Sequence, residues 1–504
     1  MAQVQTPSRA WTWGAVVLLF VYWFARLHHL LTLPIFLDEA SHITRAQWVW
    51  QGKPFYLLET GKALAPYLAA LFWPFTAAPF IGRFVVVLIG IVGIASAYAV
   101  GRELHSRQAG LLTMTLWIIC PQLIFFERMA LVDTTISSMA MLALWLALCM
   151  LRRPRMRTAI LCGGALALCV FAKTTGVVFL PIPILVALLI KLPTPWLTRA
   201  RQIGVAYVVA ALLLVGPFLY VESVNADPTG LAYGLTTTRT DNLLERVQAN
   251  AAKVWAAEQV YYTKPMLWVI LVAGVFALFY ATRPALVLLA LIAALLAAII
   301  AAAASLWLRY ASPAAPFILL LAAIGLLTFV AELRKLRLPR LVYALPWLIA
   351  TIWGALAGIP FHLTAYSNPT QLPLPDGDVV EYIQWIPSGY GIQDAARYLQ
   401  QFATTPITVV GTAVNCNAAR LYLPLDTPIK MICPDLDWGG GNWNVVAEIQ
   451  QLADADGSVY VLGEDVPIVR EDQLPERHTI IKEFNRPAGR FTVKLYRVSG
   501  PSSP

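Results

Sequence analysis

Trp11-Thr12-Trp13-Gly14-Ala15-Val16-Val17-Leu18-Leu19-Phe20 opens an apolar stretch that runs to Leu33, and Leu37-Asp38-Glu39-Ala40 follows shortly after it. The stretch is long enough to cross a bilayer as a helix. It is too long for the core of a signal peptide and no convincing cleavage site follows, so it reads as a retained span. The carboxylate pair then stands at the end of a membrane helix. Charges are costly near lipid, so a membrane chain keeps acids beside its spans mainly where they act. Asp38 and Glu39 open a polar, aromatic-rich loop that continues to the neighbourhood of Phe75.

Outward from this loop the apolar pattern recurs. Charged residues are 13% of the 504, against roughly 25% in soluble domains, which indicates a polytopic membrane protein. Further apolar segments lie near Pro79–Val100, Ala109–Phe126, Thr134–Leu151, Thr158–Ala172, Gly176–Ile190, Ile203–Val221, Pro265–Ala281, Ala285–Leu306, Ala311–Val330 and Leu341–Phe361. With the first they predict about eleven membrane helices. The run Arg152-Arg153-Pro154-Arg155-Met156-Arg157, the cluster Arg334-Lys335-Leu336-Arg337, and Arg102, Arg107, Lys191, Arg199, Arg201 and Arg283 all fall in short connections on one side. The positive-inside rule makes that side cytoplasmic. Topology therefore accounts for the net charge of +9, and no nucleic-acid partner is called for.

The predicted domains are a membrane domain over residues 1–363, whose outer loop 34–78 carries the carboxylate pair, and a linker with an extracytoplasmic α/β domain over 364–504. Asn368, Pro369, Pro373, Pro375, Asp376, Gly377 and Asp378 mark the linker. Beyond it the patterning predicts helices at Ile392–Phe402, Asn415–Leu423 and Val445–Ala453, and strands at Ile407–Gly411, Ser458–Leu462 and Phe491–Tyr496. Cys120, Cys149, Cys162 and Cys169 fall in predicted spans, where they pack as small hydrophobes. Cys416 and Cys433 fall in the tail, where an oxidising compartment permits a disulfide whose geometry spacing alone leaves open.

On this topology four outer connections collect charge. Asp38, Glu39 and Lys62 lie in the first; Arg128 and Asp133 in the short turn Glu127–Asp133; Lys173 at the tip of Phe171-Ala172-Lys173-Thr174-Thr175-Gly176; and Arg309 beside Tyr310 and Pro313. The cations suit a phosphate at the membrane surface, arginine offering bidentate contact. A carboxylate beside them suits removal of a proton from a hydroxyl. Two adjacent acids repel, which gives Asp38 and Glu39 a reason to share a special site. Ala40–Gly52 reads as an amphipathic helix, and Trp48, Trp50, Phe55 and Tyr56 suit the headgroup region.

At these residues the chain resembles the GT-C glycosyltransferases that use polyprenyl-phosphate sugars, especially the protein O-mannosyltransferase and lipid A aminoarabinose transferase group. The matching elements, in order over about residues 11–360, are Asp38-Glu39, Gly52-Lys53-Pro54-Phe55 with Gly61-Lys62, Arg128-Met129-Ala130-Leu131-Val132-Asp133, Lys173-Thr174-Thr175-Gly176, and Arg309-Tyr310 with Pro313 and Pro316. Pro387-Ser388-Gly389-Tyr390-Gly391 looks like part of the extracytoplasmic domain that bacterial members attach. The resemblance implies a sugar carried on a lipid phosphate, an external active site and inversion at the anomeric carbon. It implies Asp38 as general base, Lys62 and Arg128 as phosphate ligands, and Asp133 as a second acid. Lys62-Ala63-Leu64-Ala65-Pro66 departs from the Lys-Pro-Pro stretch of many relatives. The partners implied are that donor, membrane lipids and a protein, lipid or glycan acceptor. No cofactor is assigned. Asp38 and His42 share a helix face at i, i+4, but two ligands make a poor metal site, so a divalent metal stays open. The competing readings are a transporter, which calls for midplane charges and paired repeats that are not evident here, and a noncatalytic envelope scaffold.

Overall fold

Prolines and small residues decide where this apolar chain breaks and where it packs closely. The computed structural model describes residues 9–53, 61–224, 242–303, 306–336, 339–413, 416–434, 444–464, 473–487, 489 and 491–500. Pro54, Phe55, Tyr56 and Arg337 lie outside the described residues. The chain divides into two compact units. The first comprises Met1–Leu30, Gly52–Leu68 and Arg83–Pro375, and the second Leu31–Gln51, Ala69–Gly82 and Asp376–Pro504.

The first unit is helical. All of the predicted apolar segments are helices, yet among the described residues only seven are long and apolar enough to cross a membrane singly, or up to eight if the bent pair Leu243–Tyr261 and Lys264–Tyr280 counts as one. The other predicted segments are shorter or broken helices, such as Met156–Ala172, and the cause is local. Pro121 ends Arg107–Ile119 after 13 residues and starts a separate short helix, Pro121–Phe126, because it cannot donate a backbone hydrogen bond. Pro181 and Pro183 stand at the start of Ile182–Leu189, and the residues before it, Thr174–Phe179, form only a 3-10 turn. Pro360 follows a π-helical turn, Gly354–Gly358, that interrupts Val342–Ser367. Sequence analysis missed Leu243–Tyr261 because its apolar residues are sparse. Its signal was the cap: Asn242 accepts from the Leu244 amide at 3.1 Å and donates to Glu245 at 3.2 Å. Small residues let helices approach without lipid between them. A Cβ on Gly163 would strike the Ala206 carbonyl, and one on Gly325 the Ala273 carbonyl.

The second unit contains a five-stranded sheet. Its strands are β1 (Ile407–Gly411), β2 (Ile429–Ile432), β3 (Ser458–Glu464), β4 (His478–Asn485) and β5 (Thr492–Ser499), in the order β2-β1-β3-β5-β4. β1 pairs in parallel with β2 and β3, while β5 pairs antiparallel with β3 and β4. The helices Ile392–Phe402, Cys416–Tyr422 and Val445–Asp456 complete an α/β fold. Val410, Val459, Val461 and Val498 pack with Ile449 and Ala453 as its core. Cys416 and Cys433 form a disulfide, with Cα atoms 5.8 Å apart. The helix Leu37–Trp50 belongs to this unit. Its approach is fixed by the Ile35 amide donating to the Tyr422 hydroxyl at 2.7 Å and by Phe36 against Tyr382, ring centroids 4.7 Å apart. Gly389, at φ +75°, lies so close to the Ile35 carbonyl that a Cβ there would collide with it. That gives the Pro387–Gly391 motif a structural use.

Candidate active site

The first unit builds its charged site from helix ends. Asp133 is the first residue of the helix Asp133–Arg152, where the helix dipole favours a carboxylate. Lys173 follows directly on Met156–Ala172, and Arg309 and Tyr310 lie in the 3-10 turn Leu308–Ala314. These three connections meet. Lys173 Nζ donates to Asp133 Oδ1 at 2.7 Å, Arg309 Nε lies 3.9 Å from Asp133 Oδ2, and Lys173 Nζ sits 3.8 Å from the centre of the Tyr310 ring. Asp133 and Arg309 are buried, and Lys173 is nearly so. Two cations thus meet at one carboxylate in a poorly solvated place, where charge interactions are strong.

The backbone of the Lys62 segment is tied to the same turn. The Thr174 amide donates to the Gly61 carbonyl at 3.1 Å and the Ala63 amide to the Phe171 carbonyl at 2.8 Å. Gly61 has φ +60° and faces Thr174 so closely that a Cβ would touch its methyl group. Only glycine accepts that conformation and that approach readily. Lys62 is therefore the residue between two points that dock onto the Lys173 turn.

Arg128 is held by backbone carbonyls. Its Nη1 donates to the carbonyls of Ala25, Arg26 and His28 at 3.3, 3.2 and 2.8 Å, and its Nη2 to that of His29 at 2.7 Å. The guanidinium also lies 4.8 Å from the Tyr366 ring centre. It closes the end of the first helix, whose last carbonyls lack intrahelical partners.

A second charged cluster, which sequence analysis missed, lies beside it. Arg26 Nε donates to Glu127 Oε2 at 2.9 Å, Trp117 Nε1 donates to Glu127 Oε1 at 2.6 Å, and Arg26 Nη2 donates to the Trp117 carbonyl at 3.3 Å. Both charges are fully buried. Burial raises the Glu127 carboxyl above its ordinary range, and Arg26 and Trp117 pull it back. The available signal was an arginine inside the first apolar segment, a charge that demands a partner.

Asp38 and Glu39 lie in the first turn of Leu37–Trp50, in the second unit. Glu39 is fully buried and accepts the Phe36 amide at 3.0 Å, as the third residue of a capping box does. Asp38 is half-buried, and His42 Nδ1 lies 3.4 Å from Arg45 Nη1. Among the described residues no group of three or more His, Cys, Asp or Glu side chains could hold a metal ion.

The sequence model of a family described as dolichyl-phosphate-mannose-protein mannosyltransferase matches residues 63–221. No curated protein matches the chain in sequence. Among solved structures, ArnT from Cupriavidus metallidurans bound to undecaprenyl phosphate is similar with a TM-score of 0.58 and 16% identity, over 97% of this chain and 98% of that one. The apo form of the same protein gives 0.59 and 15% over the same shares. The archaeal oligosaccharyltransferase AglB from Archaeoglobus fulgidus, in complex with an inhibitory peptide and a dolichol-phosphate, gives 0.51 and 13%, over 90% of this chain and 69% of that one. The chain therefore shares the fold of these structures, and its residues 63–221 match the sequence model of the mannosyltransferase family.

Proposed function

We propose that the protein moves a sugar from a polyprenyl-phosphate donor to an acceptor hydroxyl at the extracytoplasmic face of the membrane, with inversion at the anomeric carbon. The observation that carries this reading is the buried cluster in which Lys173 and Arg309 share Asp133. When the bond between the anomeric carbon and the phosphate oxygen breaks, its electron pair stays on the phosphate. Lys173 and Arg309, with Lys62 beside them, are suited to stabilise that charge, and cations held in advance of the reaction do so most effectively. Asp133 holds the two buried cations in position, and Arg128 holds the end of the first helix. The role of Asp38 as the base that takes the acceptor proton rests on the family resemblance and on its place in the sequence. The disulfide Cys416–Cys433 supports an external position for the second unit, because such bonds persist in oxidising compartments.

The test is release of polyprenyl phosphate from a lipid-linked sugar by purified protein in liposomes, together with mass spectrometry of envelope lipids, glycans and glycoproteins with and without the protein. Sugar should appear on an acceptor as polyprenyl phosphate is released. Intact donor and an unchanged envelope would overturn the reading, and flux of a labelled solute across the same liposomes would replace it with a transporter.

A further inference from the structure

We infer that the C-terminal part of the second unit sets the place of the proposed base, with Gly389 and Tyr422 as positioning residues for Asp38. The inference rests on the reading of Asp38 as the group that takes the acceptor proton. Asp38 is the second residue of the helix Leu37–Trp50. Three contacts from residues 376–504 of the same unit meet the two residues just before that helix. The Tyr422 hydroxyl accepts from the Ile35 amide at 2.7 Å, the Tyr382 ring packs on Phe36, and the backbone of Gly389 lies against the Ile35 carbonyl. Phe36 then fixes the first turn, its amide donating to Glu39 Oε1 and its carbonyl accepting from the Ala40 amide, each at 3.0 Å. Asp38 sits inside this tethered turn.

The seat of that turn is itself pinned. Arg486 follows β4, and Glu464 ends β3. Arg486 Nη2 donates to Glu464 Oε1 at 2.9 Å and to the Ile386 carbonyl at 3.2 Å, and its Nε donates to the Tyr390 carbonyl at 3.0 Å. Both charged side chains are fully buried. Parting such a pair strands a charge away from water, so the planar guanidinium ties both ends of Ile386–Tyr390 to the sheet. Gly389 lies between the two tied carbonyls, at φ +75°, with no room for a Cβ against Ile35. Tyr422 ends the helix Cys416–Tyr422, whose first residue the disulfide anchors. Apolar packing alone tolerates sliding, whereas contacts to the backbone of Ile35 define a location. A base needs that definition: it must come within about 2.6–3.2 Å of the proton's oxygen, and an error of about 1 Å can cost roughly a hundredfold in rate.

The test is a double-mutant cycle on the full chain in liposomes. The cell's extracted polyprenyl-phosphate sugars serve as donor and an envelope extract as acceptor, and turnover is read as released polyprenyl phosphate. Gly389→Ala should lower kcat about tenfold to a hundredfold and leave the Kd for undecaprenyl phosphate unchanged. Tyr422→Phe, the milder variant, should lower kcat about threefold to tenfold, and it decides the matter where Gly389→Ala does not fold. Neither should slow the Asp38→Asn chain further, because the group they position is gone. A purely structural role would cost the same fraction in both backgrounds. Gly457→Ala is the control: at φ +75° with open space around its Cβ, it carries the backbone strain without the collision and should keep the wild-type kcat. Losses that multiply in the Asp38→Asn background, an equal loss in Gly457→Ala, or an unchanged kcat in folded Gly389→Ala would overturn the positioning role. An unaltered rate in Asp38→Asn, or no release by the unaltered chain, would instead overturn the reading of Asp38 on which that role depends.

Discussion

Arg128 and Lys173 look interchangeable in the sequence, each a lone cation in a short turn between apolar segments, and the folded chain gives them different partners. Lys173 meets Asp133 and the Tyr310 ring, whereas Arg128 meets carbonyls at the end of the first helix. Lys173→Met should therefore weaken polyprenyl-phosphate binding by about 1.5–3 kcal/mol, the worth of a charge-assisted hydrogen bond. Arg128→Ala should lower the melting temperature first, because four carbonyl contacts are lost together. Lipid titration by native mass spectrometry and thermal unfolding in detergent check the pair; the reverse pattern would exchange the two roles. The acid pair divides in a similar way. Glu39 caps its own helix through the Phe36 amide, so Glu39→Gln, which keeps an acceptor, should cost little turnover. Asp38→Asn should slow turnover by about 10²–10⁴ if the carboxylate takes the acceptor proton, and an unaltered rate in a folded protein would remove it from the mechanism. Residue type and position announced that these charges matter. Which of them face one another depends on contacts between residues 40 or more apart, as with Lys173 and Asp133, and no local pattern contains that.

Helices and strands were legible where periodicity was strong and lost where it was weak. Ile392–Phe402 and Ile407–Gly411 lie where hydrophobic spacing put them. β2 is only Ile429–Ile432, between Pro428 and Pro434, too short for alternation to register. β4 stands at a sheet edge and exposes most of its residues, including Lys482 and Glu483. Charge on an edge discourages further strands from adding, and it also erases the apolar signal. The membrane helices show the complementary failure, since composition located each apolar stretch but Pro121 and Pro181 set its usable length. At this scale the disulfide gives a clean test. It closes a loop across a separation of 17 residues, so replacing both cysteines by alanine should cost the second unit about 3 kcal/mol. Hydrogen exchange should then accelerate in β1 and β2, while exchange in the first unit stays as it was; uniform exchange in both units would show that the bridge carries little.

Across the molecule, the charges of the first unit sort to opposite ends of its helices. Asp133 begins a helix of 20 residues that Arg152 ends, about 30 Å away, the thickness of a bilayer core. At the far end Arg152 Nη1 donates to Glu103 Oε2 at 2.6 Å, and Arg102 pairs with the same carboxylate. Cysteine labelling in intact cells should find a site beside Arg153 protected and a site beside Asp394 accessible to an impermeant reagent, and the opposite result would invert the topology. The buried pair Arg26–Glu127 adds a consequence for how the chain is made. Its partners are 101 residues apart, so at about 5–20 residues per second Arg26 leaves the ribosome roughly 5–20 seconds before its carboxylate exists. During that wait its cation must reach up to the lipid headgroups or keep company with water in the insertion channel. The first helix can settle at its final depth only after the turn containing Glu127 arrives, which makes the Pro121–Asp133 segment a clock for biogenesis.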